Sequence, residues 1–209
     1  MSAAGHMPQR YTYADLKTWP DDERWELIKG VPYCMSPAPS PRHTQCATRL
    51  YSMLDQVLQG KTCTALAAPI DVFPLAGSED TDDEDTCVQP DVMIVCDRAK
   101  ITVRGIIGAP DLVVEVLSPS SARIDTREKY EIYALAGVRE YWIVDTSDRV
   151  IESLIRGEDG RWGSNRVWRE GEVLAPSFLP EARIDLAALF GELVEPADAP
   201  PPRRSPPRR

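Results

Sequence analysis

No apolar run in this 209-residue chain approaches the roughly 20 residues needed to cross a bilayer, so no membrane span is expected. The opening MSAAGHMPQR has no apolar segment of the kind a secretory signal requires. The five cysteines, at 34, 46, 63, 87 and 96, are odd in number and contain no Cys-x-x-Cys pair. A zinc site is therefore not expected, and reduced thiols in a cytoplasmic protein are. The Gly-x-Ser-x-Gly elbow of a serine hydrolase and the glycine-rich phosphate loop are both missing. Histidine is scarce, and His43 with Cys46 lacks the third group that would orient a Cys–His nucleophile. Basic charge is also short. The formal net charge is −9, although Arg203, Arg204, Arg208 and Arg209 add four positives after Pro200, where no acid follows. The body before that tail is more acidic still. It has no general basic field for nucleic acid, so any such binding needs a local basic groove or metal ions that neutralise phosphate.

What is present reads as one domain over residues 10–195, after an extension of residues 1–9 whose Gly-His-Met resembles a cloning remnant. TYADLKTWPDDE reads as a short helix capped by Thr12 and ended by Pro20. RWELIKGVPYCMSP reads as a hairpin turning at Lys29-Gly30. Ser40-Pro41 opens a helix from about Arg42 to Gln59, with Ala47, Leu50, Leu54 and Leu58 on one face. TALAAPIDVFPL reads as a strand with its prolines at an edge or bulge. Six acids in the seven positions from Glu79 to Asp85 read as a solvated, mobile loop without the glycine and spacing of an EF-hand. Three short apolar runs follow, DVMIVCD, DLVVEVLS and EYWIVD, as expected of central strands covered on both sides. IDTREKYEIYALAG is a helix between the last two, which predicts a βαβ crossover. RVIESLIR, RWGSNRVWRE and EARIDL predict an antiparallel meander, and LAALFG a closing helix. Residues 196–209, rich in proline and arginine, are expected to be disordered.

The stretch PDLVVEVLSPS raises a physical question, because Glu115 sits inside a strand that should be buried on both faces. Alternation places Asp111, Val113, Glu115 and Leu117 on one face and Leu112, Val114 and Val116 on the other. An isolated buried carboxylate costs several kcal/mol or takes up a proton, so Glu115 needs a cation, a hydrogen-bond partner or a cavity. Asp91 opens the preceding apolar run and converges with Glu115 if the two strands are neighbours. Two close carboxylates repel unless a cation lies between them, and oxygen-only ligation suits magnesium or manganese. The backbone carbonyl of Val116 is a third candidate ligand. Lys129 shares a helical face with Ile132, Tyr133 and Ala136 and is a second partner for Glu115. Asp125-x-x-Glu128 reads as a helix cap.

These residues resemble the PD-(D/E)xK nuclease superfamily, and within it the Uma-type branch of restriction endonuclease-like proteins of bacteria. The resemblance is carried by WELIKG, SPRHTQ, QPDVMIV, PDLVVEVLSPSS and REKYEIYALAGVREYWIVD, and spans about Tyr11 to Phe190. It implies an α/β (α+β) fold, a restriction-endonuclease-like mixed central sheet flanked by helices. It also implies a Mg2+- or Mn2+-dependent endonuclease that hydrolyses DNA phosphodiester bonds. Asp91 and Glu115 match the metal-binding acids, and Lys129 matches a displaced lysine, with Arg127 its competitor. Leu117 occupies the position of the lysine in the basic motif. Glu26 would bind a second metal or water, and His43, in the first turn of its helix, would contact a phosphate or water. DNA is the implied partner, with a homodimer wanted for double-strand cutting. The alternative reading is a catalytically inactive nuclease-fold module that binds DNA or serves assembly.

Overall fold

The computed structural model describes residues 9–20, 22–35, 38–119 and 121–194. The tail expected at 196–209, and the N-terminal extension apart from Gln9, lie outside the described residues. Helix α1 is Tyr13–Leu16, where the Thr12 amide donates to Asp15 Oδ2 at 2.8 Å. It stops one turn before Pro20. Strands β1 (Trp25–Ile28) and β2 (Val31–Cys34) form the expected hairpin. Both turn residues have positive φ, 52° at Lys29 and 74° at Gly30, the conformation a two-residue hairpin with the right twist demands. Helix α2 is Pro41–Leu58, with Ser40 as its cap and Cys46, Leu50, Leu54 and Leu58 buried along one face.

Strands β3 (Thr64–Ala67) and β4 (Val72–Phe73) divide the stretch expected as one strand. The chain breaks at the cis Ala68-Pro69 bond, and β4 joins a different sheet. Strand β5 is Val92–Val95, β6 Ile101–Thr102, β7 Gly105–Ile107 and β8 Leu112–Val116. A wide π-helical segment, Ile124–Lys129, leads into α3 (Tyr130–Ala136), which Gly137 ends at φ 92°. Then come β9 (Glu140–Asp145), β10 (Val150–Arg156) and β11 (Trp162–Arg169), followed by β12 (Val173–Leu174), β13 (Ile184–Asp185) and α4 (Leu186–Phe190).

The central sheet runs β11-β10-β9-β8-β5-β3. It is mixed. Strands β8 and β9 are parallel, as the crossover requires, and the other pairs are antiparallel. Every residue of β5 and β8 is buried, because both sheet faces are covered. Leu112, Val114 and Val116 pack with α2 and α4, whereas Met93, Val113, Tyr141 and Ile143 pack with Ile132 and Tyr133 of α3. The alternation read from the sequence thus assigns Glu115 to the α3 side. The small sheet β4-β7-β6 and the β1–β2 hairpin lie beside this frame, and reciprocal amide bonds between Leu27 and Cys87 tie the hairpin to the segment entering β5.

Two expectations are corrected here. Cys63 and Cys96 form a disulfide, which contradicts the expectation of five reduced thiols. They flank the paired ends of β3 and β5, where Thr64 faces Val95, so strand order rather than spacing brings them together. The acidic block is not a free loop. Its carbonyls at Asp82, Glu84 and Asp85 accept backbone amides from Ala14, Tyr13 and Gly30, and Asp82 pairs with Lys17 at 2.6 Å and Arg104 at 3.1 Å.

Candidate active site

Asp91 and Glu115 do come from neighbouring strands. In the β5–β8 register Val92 faces Val114, so the two acids lie one step beyond at the same end of the sheet. Glu26 arrives from β1 and Lys129 from the last residue of the π-helical segment. Lys129 Nζ stands 2.9 Å from Glu115 Oε1, 2.9 Å from Glu26 Oε1 and 3.4 Å from Asp125 Oδ1. All four side chains are at most 5% exposed. Tyr133, one helical turn after Lys129, donates its hydroxyl to Glu115 Oε1 at 2.7 Å. The Gln89 amide donates to Glu26 Oε1 at 2.7 Å. The Gln89 side chain is itself clamped, receiving Arg24 on its oxygen and donating to Asp71 Oδ1 at 2.8 Å.

Asp91 forms an adjacent group. Its Oδ2 accepts the Val116 amide at 2.7 Å and lies 3.2 Å from His43 Nε2. Helix α2 supplies His43 in its first turn, as expected. His43 Nδ1 is buried without a hydrogen-bond partner. Arg127 is exposed and takes no part in these contacts, so of the two candidate cations only Lys129 enters the cluster.

The charge balance is unusual. Three buried carboxylates share one ammonium, with a fourth acid alongside. Burial pushes the Glu115 carboxyl well above its ordinary range; Lys129 opposes this, and Asp125, Asp91 and Glu26 add to it. Asp125 is raised by burial in the same way, against the pull of Lys129 and a bond from Ser121. Burial alone would lower the Lys129 ammonium, but Glu115, Glu26 and Asp125 hold it well above its usual value. Burial would likewise lower His43, and the bond and charge of Asp91 outweigh it, leaving the imidazole raised. With the acids ionised, the cluster holds three carboxylates to one ammonium, and the raised Glu115 and Asp125 show the strain of burial with that imbalance.

Two members were not among the expected site residues, although an i,i+4 pairing of Asp125 with Lys129 is one reading of the spacing and is observed. Asp125 was expected to cap the helix, but Ser118 and Ser121 bond each other's backbone amides at that turn, and Asp125 is buried facing Lys129. Tyr133 was expected as a packing residue. The signal for both was spacing: Asp125, Lys129 and Tyr133 recur every four residues, which puts them on one stripe.

A family model described as "Uma2: Putative restriction endonuclease" matches residues 12–187. The chain belongs to the Uma2 family. A relative, an uncharacterized protein of Synechocystis sp., is 28% identical over 141 residues, covering 67% of this Uma2 chain and 70% of that protein. The fold is shared with a crystal structure from Anabaena variabilis described as "a putative nuclease belonging to DUF820". The TM-score is 0.66 at 19% identity, with 86% of this chain and 97% of that chain covered. That likeness shows that this Uma2 protein shares the fold of that chain, a mixed central sheet flanked by helices. No helix among the described residues is long and apolar enough to cross a membrane.

Proposed function

We propose that this Uma2 protein is a divalent-metal-dependent endonuclease that hydrolyses DNA phosphodiester bonds. The observation that carries the reading is the buried set of Glu26, Glu115 and Asp125 around Lys129, three acids to one ammonium among the described residues, with Asp91 and His43 alongside. Family membership supports the same reaction class.

The donor chemistry fits a hard cation. All the candidate ligands are oxygens, and Asp125 Oδ1 is buried without a hydrogen bond. Among the described residues no three His, Cys, Asp or Glu side chains are gathered as a metal cage, and Glu115 Oε1 is engaged by Lys129 and Tyr133. Asp91, Glu115 and the Val116 carbonyl are the residues proposed to hold Mg2+ or Mn2+. Such an ion lowers the pKa of a bound water and polarises a phosphoryl oxygen. The protein's own groups do the rest. The Val116 amide fixes the rotamer of Asp91, and Tyr133 fixes that of Glu115. Lys129 offsets the negative charge on the phosphoryl oxygens as water adds to phosphorus and the bridging P–O bond breaks to release the alcohol. Glu26 orients that water, with its own position set by Gln89. His43 offers a donor to the phosphate. Cutting both strands with one such site takes two copies.

One observation favours the inactive-module reading. Glu26, Glu115, Asp125 and Lys129 are buried deeply enough that Lys129 already has a full set of acidic partners. Incubating plasmid and single-stranded circular DNA with the protein in Mg2+ or Mn2+ separates the two. The enzyme reading predicts nicking or linearisation that is abolished in Asp91→Ala and Glu115→Ala and reduced at least a hundredfold in Lys129→Ala. DNA that is bound but left intact in both metals supports the module.

A further inference from the structure

Beside the carboxylate cluster lies a cleft of about 300 Å3 lined, among the described residues, by Tyr33, Arg123, Ile124 and Glu128. Its position follows from the fold. Tyr33 is paired directly with Glu26 across the β1–β2 hairpin, so the two side chains leave the same face toward the π-helical segment. Arg123 and Ile124 immediately precede Asp125, and Glu128 immediately precedes Lys129. Each lining residue is therefore a chain neighbour or cross-strand partner of a residue in the buried cluster, although none belongs to it.

The lining is mixed in a specific way. Tyr33 is half-buried and offers an aromatic ring, and Ile124 adds an apolar wall. Arg123 is exposed and makes no ion pair among the described residues, so its guanidinium is available to an anion. Glu128 is a hydrogen-bond acceptor suited to a base amino group, and the exposed Arg123 is the group left for a phosphate. A flat ring carrying amino groups, with its phosphate at the arginine, satisfies all four. The volume is at the lower end of small-ligand pockets, about 300–1,000 Å3, which suits one nucleotide and not a duplex. The acidic body supplies no general field to hold a duplex either.

We propose that this cleft is a subsite for one unpaired nucleotide of the strand being cut, with its base stacked on Tyr33 and its phosphate on Arg123. The proposal rests on the nuclease reading above and gives it a substrate class, single-stranded or locally unpaired DNA. A base must leave its stack to reach a ring set in a cleft, and that costs least where it is already unpaired.

The test is equilibrium binding of an oligonucleotide carrying 2-aminopurine, as single strand and as matched duplex, to the full chain in EDTA. The single strand is expected to bind more tightly and its fluorescence to be quenched by stacking. Tyr33→Leu should weaken single-strand binding roughly 5- to 150-fold and remove the preference over duplex, whereas Tyr33→Phe should preserve both. Arg123→Ala, at an exposed position where folding is not at risk, should reduce the salt slope of binding by about one. Equal binding of single strand and duplex, no quenching, or unchanged affinity in Tyr33→Leu would overturn the subsite. Cleavage in Mg2+ or Mn2+ is scored separately. Wild-type cleavage that Tyr33→Leu leaves untouched defeats the subsite but not the nuclease, and a Tyr33-dependent preference without any cleavage defeats hydrolysis but not the subsite.

Discussion

Lys129 and Glu115 are buried together, yet their removal should have opposite consequences. Replacing Lys129 by Met leaves Glu26, Glu115 and Asp125 without their cation, and should cost about 3–5 kcal/mol in a urea melt at pH 7. Glu115→Gln removes one excess negative charge while Lys129 keeps two partners, and should stabilise the metal-free protein. The pH dependence has a definite sign. Glu115 holds its proton in the folded state to a pH well above the ordinary 4.5, whereas the unfolded chain releases it near that value. Stability therefore falls as pH rises from about 4.5 toward the folded pKa, and the Gln variant lacks that decline. Urea melts at pH 5 and pH 8 check this: the advantage of Glu115→Gln should be larger at pH 8, and an equal or smaller one would contradict the assignment. At this scale the sequence was informative where chemistry and alternation coincide, as at Asp91 and Glu115. It misled at Asp125, because Asp-x-x-Glu at a helix start looks the same whether the acid caps a backbone amide or faces a buried lysine.

The elements carry the site through their ends and turns. The hairpin delivers Glu26 and Tyr33 side by side, and its tight turn depends on Gly30 at φ +74°, where a Cβ would come within 2.9 Å of Arg10 Cβ. Gly30→Ala should destabilise by about 1 kcal/mol or more, read from the shift in urea midpoint at constant m. The π-helical segment matters similarly, since it sets Asp125 and Lys129 on the side facing β8. Deleting the exposed Thr126 would remove the extra residue of the wide turn and shift Asp125 around the axis relative to Lys129. Far-UV circular dichroism should change little while single-strand binding and metal response are lost. The β-α-β order, the hairpin and the long α2 were readable because each has local signals, a cap, a turn or an unbroken apolar run. The split of TALAAPIDVFPL into strands of two sheets, the wide helical turn and the Cys63–Cys96 pairing were not, since each depends on which strand lies next to which.

Over the whole molecule the dominant property is negative charge. An acidic body that binds DNA does so through few contacts, so the affinity should be modest and sensitive to what neutralises the site. The exception in the sequence is the run of residues 196–209 with its four arginines; removing it should flatten the dependence of log K on log salt by up to about four. Family membership and fold agree with the motif-level resemblance, while the metal and the reaction rest on the chemistry of the cluster. The measurement that tests this most directly is a calorimetric titration of Mn2+ and Mg2+ into the wild-type protein and into Asp91→Ala and Glu115→Ala. Saturable binding in the wild type that is lost in both variants is the predicted result. No binding, or binding that survives both substitutions and so resides elsewhere on the acidic surface, would contradict the assignment of this cluster as a divalent-metal nuclease centre.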